Sequence, residues 1–247
     1  MAIDILFQRL HVLHGAFLFK RFSMFRSLLT LIFLIGGYTN VSAQEELYTS
    51  AQEWPVKISD GWFTARTISF GQYATSSRKN GIADAAAVSF IKDPLNPFNI
   101  RVSGRDENIL IQVIQATHVA FSEHSLPSFL DNMPATAVFS YILINGTKNE
   151  PLKRWEIILK DVNYLELNEN KPAGILQSAD NEVRITAHNR FGTKNSYENI
   201  CYEFHIRRQV VAAVVTGARP RVWMSAEMEG KSLQPVLVAA IGALLVR

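Results

Sequence analysis

The sequence predicts a mainly β protein, an antiparallel barrel or sandwich packed around a buried C-terminal α-helix. Two observations carry this. Over residues 62–225, short runs of β-branched and aromatic residues follow one another with turn residues at close spacing and almost no helical periodicity. That pattern favours antiparallel architectures over alternating βαβ units. The chain then ends in "QPVLVAAIGALLVR", where residues 236–246 are only Val, Leu, Ile, Ala and one Gly. A helix apolar on every side must be buried. A helix over 235–247 spans about 20 Å at 1.5 Å per residue, short of a bilayer core of about 30 Å. Glu227, Glu229 and Lys231 cannot extend the run. The solvent of this helix is therefore expected to be the protein's own β-structure.

The elements follow in order. Residues 44–57 read as a polar lead-in, and a single β domain is expected over 58–247. Asp60-Gly61 is a turn signal and "WFTARTISF" (62–70) a strand. "SSRKNG" (76–81) is a loop, "AAVSFI" (86–91) a short apolar strand, and "DPLNPF" (93–98) a proline-punctuated connection. "NIRVS" and "NILIQVI" flank "GRDE" as a hairpin with a four-residue loop. A short helix is expected near 126–132. "TAVFSYILI" (136–144) reads as a strand covered on both faces and ended by Asn145-Gly146. "KRWEIILKD" and "EVRITAHN" alternate. In "ICYEFHIR", Ile200, Tyr202, Phe204 and Ile206 share one face, with Cys201, Glu203, His205 and Arg207 opposite. "VVAAVVTG" and "RVWMS" complete the series. Ser232 is positioned to cap the terminal helix (235–247), with Pro235 in its first turn.

The N-terminal part reads as an export signal. Met24 is followed by one Arg, an apolar run over 28–36 and a polar stretch ending Val41-Ser42-Ala43, the layout of a secretory signal peptide over 24–43. A retained signal anchor is the alternative. Residues 1–23 are either an upstream extension or sequence preceding a start at Met24. Of the 25 bases and 22 acids, four bases (Arg9, Lys20, Arg21, Arg26) and one acid (Asp4) lie in 1–43, leaving 21 of each. A neutral mature chain lacks the Lys and Arg surplus of a nucleic-acid binder. Cys201 is the sole cysteine, so no intramolecular disulfide forms. The expected location is periplasmic or extracellular.

Three constellations bear on chemistry. Cys201 and His205 invite a nucleophile–base reading, yet four residues along a strand separate them by about 13 Å, beyond hydrogen-bond reach. His118, Glu123 and His124 form a His/carboxylate cluster of the kind that binds metal; surface histidines are the plainer reading. Arg207, Arg208, Arg219 and Arg221 lie around one predicted hairpin and could hold an anion if they converge; strand-edge charges that discourage pairing are the alternative. Asn145-Gly146-Thr147 fits a glycosylation sequon and equally a hairpin turn. No pattern calls for a cofactor.

"YEFHIRRQVVAAVVTGARPRVWMS", followed by "LQPVLVAAIGALLVR", resembles the closing section of tubby-like barrels. In that superfamily, which includes tubby, the phospholipid scramblases and the LURP-one-related proteins, a hydrophobic C-terminal helix threads a closed antiparallel barrel. The stretch is also similar to uncharacterised bacterial secreted proteins and lipoproteins that end in a Trp-containing strand and an Ala/Leu-rich helix. The resemblance covers roughly the last fifty residues and is one of pattern; no phosphoinositide-binding residue is carried over. It implies a non-enzymatic envelope or secreted module that binds a ligand or partner, with a lipid or anionic headgroup held on the outer surface. The competing expectation is a metal-assisted hydrolase built on His118, Glu123 and His124.

Overall fold

The ring of strands begins and ends in one short stretch. β1 (Glu53–Trp54) and β2 (Val56–Ser59) are two halves of one extended run, interrupted at Pro55, which has no N–H to give to a ladder. β1 pairs with the last strand, β14 (Arg221–Met224), and β2 pairs with β3 (Thr67–Phe70). The chain itself therefore completes the ring. The computed structural model describes residues 47–61, 65–117, 126–192 and 197–247.

From β3 the sheet passes to β4 (Tyr73–Thr75), which shares an edge of β6 (Leu95–Gly104) with β5 (Lys79–Asn80). β7 (Glu107–Thr117), β8 (Val138–Ile144), β9 (Trp155–Lys160) and β10 (Pro172–Gln177) follow. β11 (Glu182–His188), β12 (Cys201–Ile206) and β13 (Gln209–Val215) lead back to β14. Neighbours are antiparallel throughout. With β1 and β2 sharing one place and β4 and β5 another, the fourteen strands fill twelve positions of a barrel. The choice between barrel and sandwich is thus settled.

The inward faces of these strands pack on α1 (Gln234–Val246). Every residue from 236 to 245 is buried, and α1 touches β3, β4, β6, β7, β8 and β13. Gly242 is where the helix comes closest to the wall: a Cβ there would lie 2.6 Å from Val102 Cγ2. No helix among the described residues is long and apolar enough to cross a membrane.

Two patches of the outer wall are covered as well. Val88, Ile91, Leu130 and neighbouring residues from the loops before β6 and β8 lie over Ile114, Phe139, Tyr141 and Ile158. On the far side, Leu47 and Tyr48 cover Cys201, Val210, Ala213, Val215 and Trp223.

Several expectations are corrected. Residues 44–57 are more than a lead-in: they supply β1, part of β2, and the cap formed by Leu47 and Tyr48. The stretch expected as a strand at 86–91 holds a 3-10 turn, Ala86–Val88, in which Asp84 Oδ1 accepts from Ala87 N at 3.2 Å. That local hydrogen bond competes with strand pairing. The connection expected at 93–98 belongs largely to β6, bulged between Leu95 and Phe98. β6 and β7 meet at a two-residue turn, Arg105-Asp106, both left-handed (φ +47° and +64°). Asn145-Gly146 opens a longer connection between β8 and β9 instead of a tight hairpin. The helix N-cap is Leu233, not Ser232, because Gln234 N already bonds back to Lys231 O at 3.0 Å. Residues 1–43 and their processing lie outside the described residues.

Candidate functional site

β11 and β12 pair so that Thr186 faces Glu203 and His188 faces Cys201 across the ladder. These residues, with His205 next along β12, point to the outside of the barrel. Despite this, Glu203 is only 3% exposed, and Cys201, Thr186, His188 and His205 are buried too. The cover is Tyr48, whose ring meets Trp223 and Phe191 edge-on at centroid distances of 5.1 and 5.2 Å. Phe191 in turn stacks on Trp223 at 5.1 Å.

Hydrogen-bond directions in this cluster follow from chemistry. His188 Nδ1 accepts the backbone N–H of Arg190 at 3.3 Å, so its ring hydrogen sits on Nε2, which lies 3.2 Å from Glu203 Oε1. Tyr48 O–H donates to the same oxygen at 2.5 Å. Thr186 O–H donates to Glu203 Oε2 at 3.1 Å, which leaves its oxygen to accept from His205 Nε2 at 2.7 Å. Arg190, half exposed, approaches Oε1 at 3.6 Å. The donors converge on one carboxylate. Burial works against that charge, but His188, His205 with its Nε2 3.4 Å from Oε2, and the Tyr48 hydroxyl outweigh it and hold the carboxyl far below the usual carboxylate range.

The same geometry closes the nucleophile reading. Burial pushes the Cys201 thiol far above its ordinary value, and a neutral thiol is a poor nucleophile. Tyr48 O–H, 3.8 Å from Cys201 Sγ, is likewise held neutral, chiefly by burial. Both histidine Nε2 hydrogens are spent inside the network. What the cluster does chemically is bind a hydroxyl, and the hydroxyl it binds is that of Tyr48. The alternation of β12 placed Cys201, Glu203 and His205 on one face; nothing in their neighbourhood announced that residues about 140–155 positions upstream would cover it.

The four predicted arginines do not converge. Arg207 and Arg208 form the turn between β12 and β13, with φ of +49° and +75°. Arg219 and Arg221 lie beyond the opposite end of β13, a separation of about 20 Å at 3.3 Å per residue. Arg221 is also committed: it forms a two-pronged ion pair with Glu53 at 2.8 and 2.7 Å and lies over the Trp223 ring at 4.4 Å. His118, Glu123 and His124 lie outside the described residues. Among the described residues, no group of three or more His, Cys, Asp or Glu is placed to hold a metal ion.

Positive charge gathers instead at the mouth beside the end of α1. Arg66, Arg78 and Arg247 line a recess there of about 390 Å³ together with Ile68, Ser77 and Val246. Arg247 is partly offset by Asp161 at 3.8 Å. Arg78 stacks over Phe98 at 4.0 Å, and neither it nor Arg66 has a carboxylate partner among the described residues.

No family pattern, curated protein or solved structure matches this chain.

Proposed function

We propose that this chain is an exported, non-enzymatic binding module of tubby-like build, which holds an anionic headgroup on the outside of its barrel. The observation that carries the reading is the filled lumen. α1 occupies the space in which other barrels keep cargo, so a ligand must sit at a mouth or on the wall. The buried acid–base groups are engaged with one another and with Tyr48, which argues against covalent chemistry at that cluster. Arg66 and Arg78, exposed and without ion-pair partners among the described residues, are the groups best placed for an anion. Guanidinium groups bind phosphate oxygens through paired, charge-assisted hydrogen bonds.

Co-sedimentation with vesicles at low salt tests this. Vesicles containing an anionic phospholipid are expected to retain the protein, zwitterionic vesicles to retain much less, and the Arg66→Glu, Arg78→Glu double variant to be released. Equal recovery with both vesicle types, or none with either, would remove the headgroup from the proposal.

A further inference from the structure

The opposite mouth, where α1 begins, has a different chemistry. Its recess holds about 370 Å³, at the small end of the roughly 300–1,000 Å³ of small-molecule sites. Three glutamines line it, and each has its side-chain oxygen already engaged. Gln52 Oε1 accepts from Ala226 N at 2.7 Å, Gln72 Oε1 from Arg105 Nε at 2.5 Å, and Gln234 Oε1 from Gly230 N at 3.1 Å. All three partners are N–H donors, so only the oxygen can face them and the amide orientation is fixed by chemistry. Each amide NH2 is therefore turned away from its protein partner, and none donates to another described residue. This holds even for Gln234, only 6% exposed as a residue, whose amide nitrogen is open at the recess, where a ligand acceptor can reach it.

Three further features act on the same space. Gln234 is the first residue of α1, so the positive end of a thirteen-residue helix faces the recess. Arg105 lines it, shared at 3.4 Å with the well-exposed Glu229. Trp54, half-buried, forms a flat wall: its six-membered ring lies directly against Gly71, where a Cβ would come within 2.6 Å of Cε3, and it stacks on Tyr73 at 6.0 Å. Gly71 has φ +57°, and its lack of a side chain is what lets the indole lie flat.

We propose that this recess binds an acidic sugar, a pyranose ring carrying a carboxylate, with the ring against Trp54 and its oxygens accepting from Gln52, Gln72, Gln234 and Arg105. A site that offers donors and a positive helix end selects a ligand rich in acceptors and negatively charged. The aromatic wall selects one with a flat, C–H-rich face. Glu229 supplies the acceptor that a sugar hydroxyl needs. The inference is independent of the arginine-lined mouth, which lies at the other end of α1.

The test is calorimetric titration of the full-length protein with glucuronate and galacturonate and with their short oligomers. Glucose and acetate serve as comparison probes. A saturable signal is expected for at least one uronate. Gln72→Ala, an exposed change, should weaken it about tenfold or more, and Trp54→Leu should abolish it, with circular dichroism and thermal midpoint confirming that each variant is folded. If Trp54→Leu fails to fold, Gln52→Ala takes its place. No saturable binding of either uronate overturns the proposal. So does equal binding of glucose, which would mean the charge is not read, or of acetate, which would mean the ring is not read. Uronate binding unchanged in the folded variants would place it elsewhere and overturn the site.

Discussion

The two faces of β12 are both buried, yet they are built on opposite principles. Tyr202 and Phe204 face inward onto α1, in an apolar interior where a fully buried large side chain contributes about 1.5–3 kcal/mol. Cys201, Glu203 and His205 face outward, where a charge is kept under cover by hydrogen bonds from His188, Thr186 and Tyr48. The inner face is tolerant in kind: apolar groups of suitable volume suffice. The outer face is intolerant, because removing one donor or the carboxylate leaves its partners buried and unpaired. Stability without direction comes from the first and a unique arrangement from the second.

The most drastic way to break this contrast is to remove what covers the inner face. Six large apolar side chains of α1 (Val236, Leu237, Val238, Ile241, Leu244, Leu245) are buried in the barrel. At about 1.5–3 kcal/mol each they represent about 9–18 kcal/mol, comparable to the whole stability of a domain, about 5–15 kcal/mol. Deleting residues 235–247 is expected to abolish soluble folding, read as loss of cooperative thermal unfolding and recovery in the insoluble fraction. A truncated chain that stays folded would show that the barrel does not depend on its plug.

The next largest effect belongs to the outer face. Glu203→Gln keeps the shape but replaces an acceptor with an NH2 group facing Thr186 and His205. It is expected to cost about 2–4 kcal/mol, a fall in thermal midpoint of about 5–15 °C for a domain of this size. The same substitution carries a pH signature. The folded Glu203 carboxyl titrates far below the unfolded value of about 4.3. Its contribution is therefore complete above that pH and lost progressively as the pH falls below it. Midpoints measured between pH 6 and pH 3 should fall more steeply for the native chain than for Glu203→Gln. Glu53, Glu166 and Asp180, also lowered chiefly by hydrogen bonds from Arg221, Lys171 and Lys153, are common to both chains and cancel in the difference. Parallel profiles would mean that Glu203 is not the charge the network holds.

How much of this contrast was legible follows from the range of the interactions. The alternation of β12 showed in the sequence because a strand's period of two is a local property. So did the burial of α1, since an apolar run leaves no side to face water. The Tyr48 cap did not show, because a polar-looking stretch around "EELYTS" carries no local sign of a partner some 140 residues away. The hairpins at Arg105-Asp106 and Arg207-Arg208 showed in the sequence but their two-residue, left-handed turn type did not, because neither carries the Gly or Asn that normally marks it. β10 went unread because Pro172, Ala173 and Gly174 open it with little β-branched character and a bulge between Pro172 and Gly174. The recess glutamines could not be read at all, since their value lies in which way each amide is turned.

Tyr48→Phe probes the cap with a single atom. It keeps the edge-on contacts with Trp223 and Phe191 and removes only the hydroxyl bonded to Glu203. Hydrogen bonds to charged groups contribute about 1.5–3 kcal/mol, so a loss of about 2 kcal/mol is expected in denaturant unfolding with an unchanged m-value. The Cys201 thiol, masked in the native chain, should react faster with a thiol reagent in the variant. Unaltered stability with unaltered thiol masking would reduce the cap to apolar packing.

The smallest expected effect returns to the inner face. Gly242→Ala adds one methyl group to the middle of α1. Helix propensity alone would favour the change by about 1 kcal/mol. The new Cβ would meet Val102 Cγ2 at 2.6 Å, however, and Val102 is fully buried on β6 with a stiff, β-branched side chain that has no free direction to move. Overpacking of this kind costs typically about 1–3 kcal/mol, so the net expectation is a loss of about 1 kcal/mol, a midpoint lower by about 2–4 °C. In a Val102→Ala background the same change should cost less than in the native chain, because the smaller side chain opens the space the new methyl fills. A double-mutant cycle with no coupling would mean that helix and wall do not meet at Gly242, and the inner face would then owe its stability to volume alone.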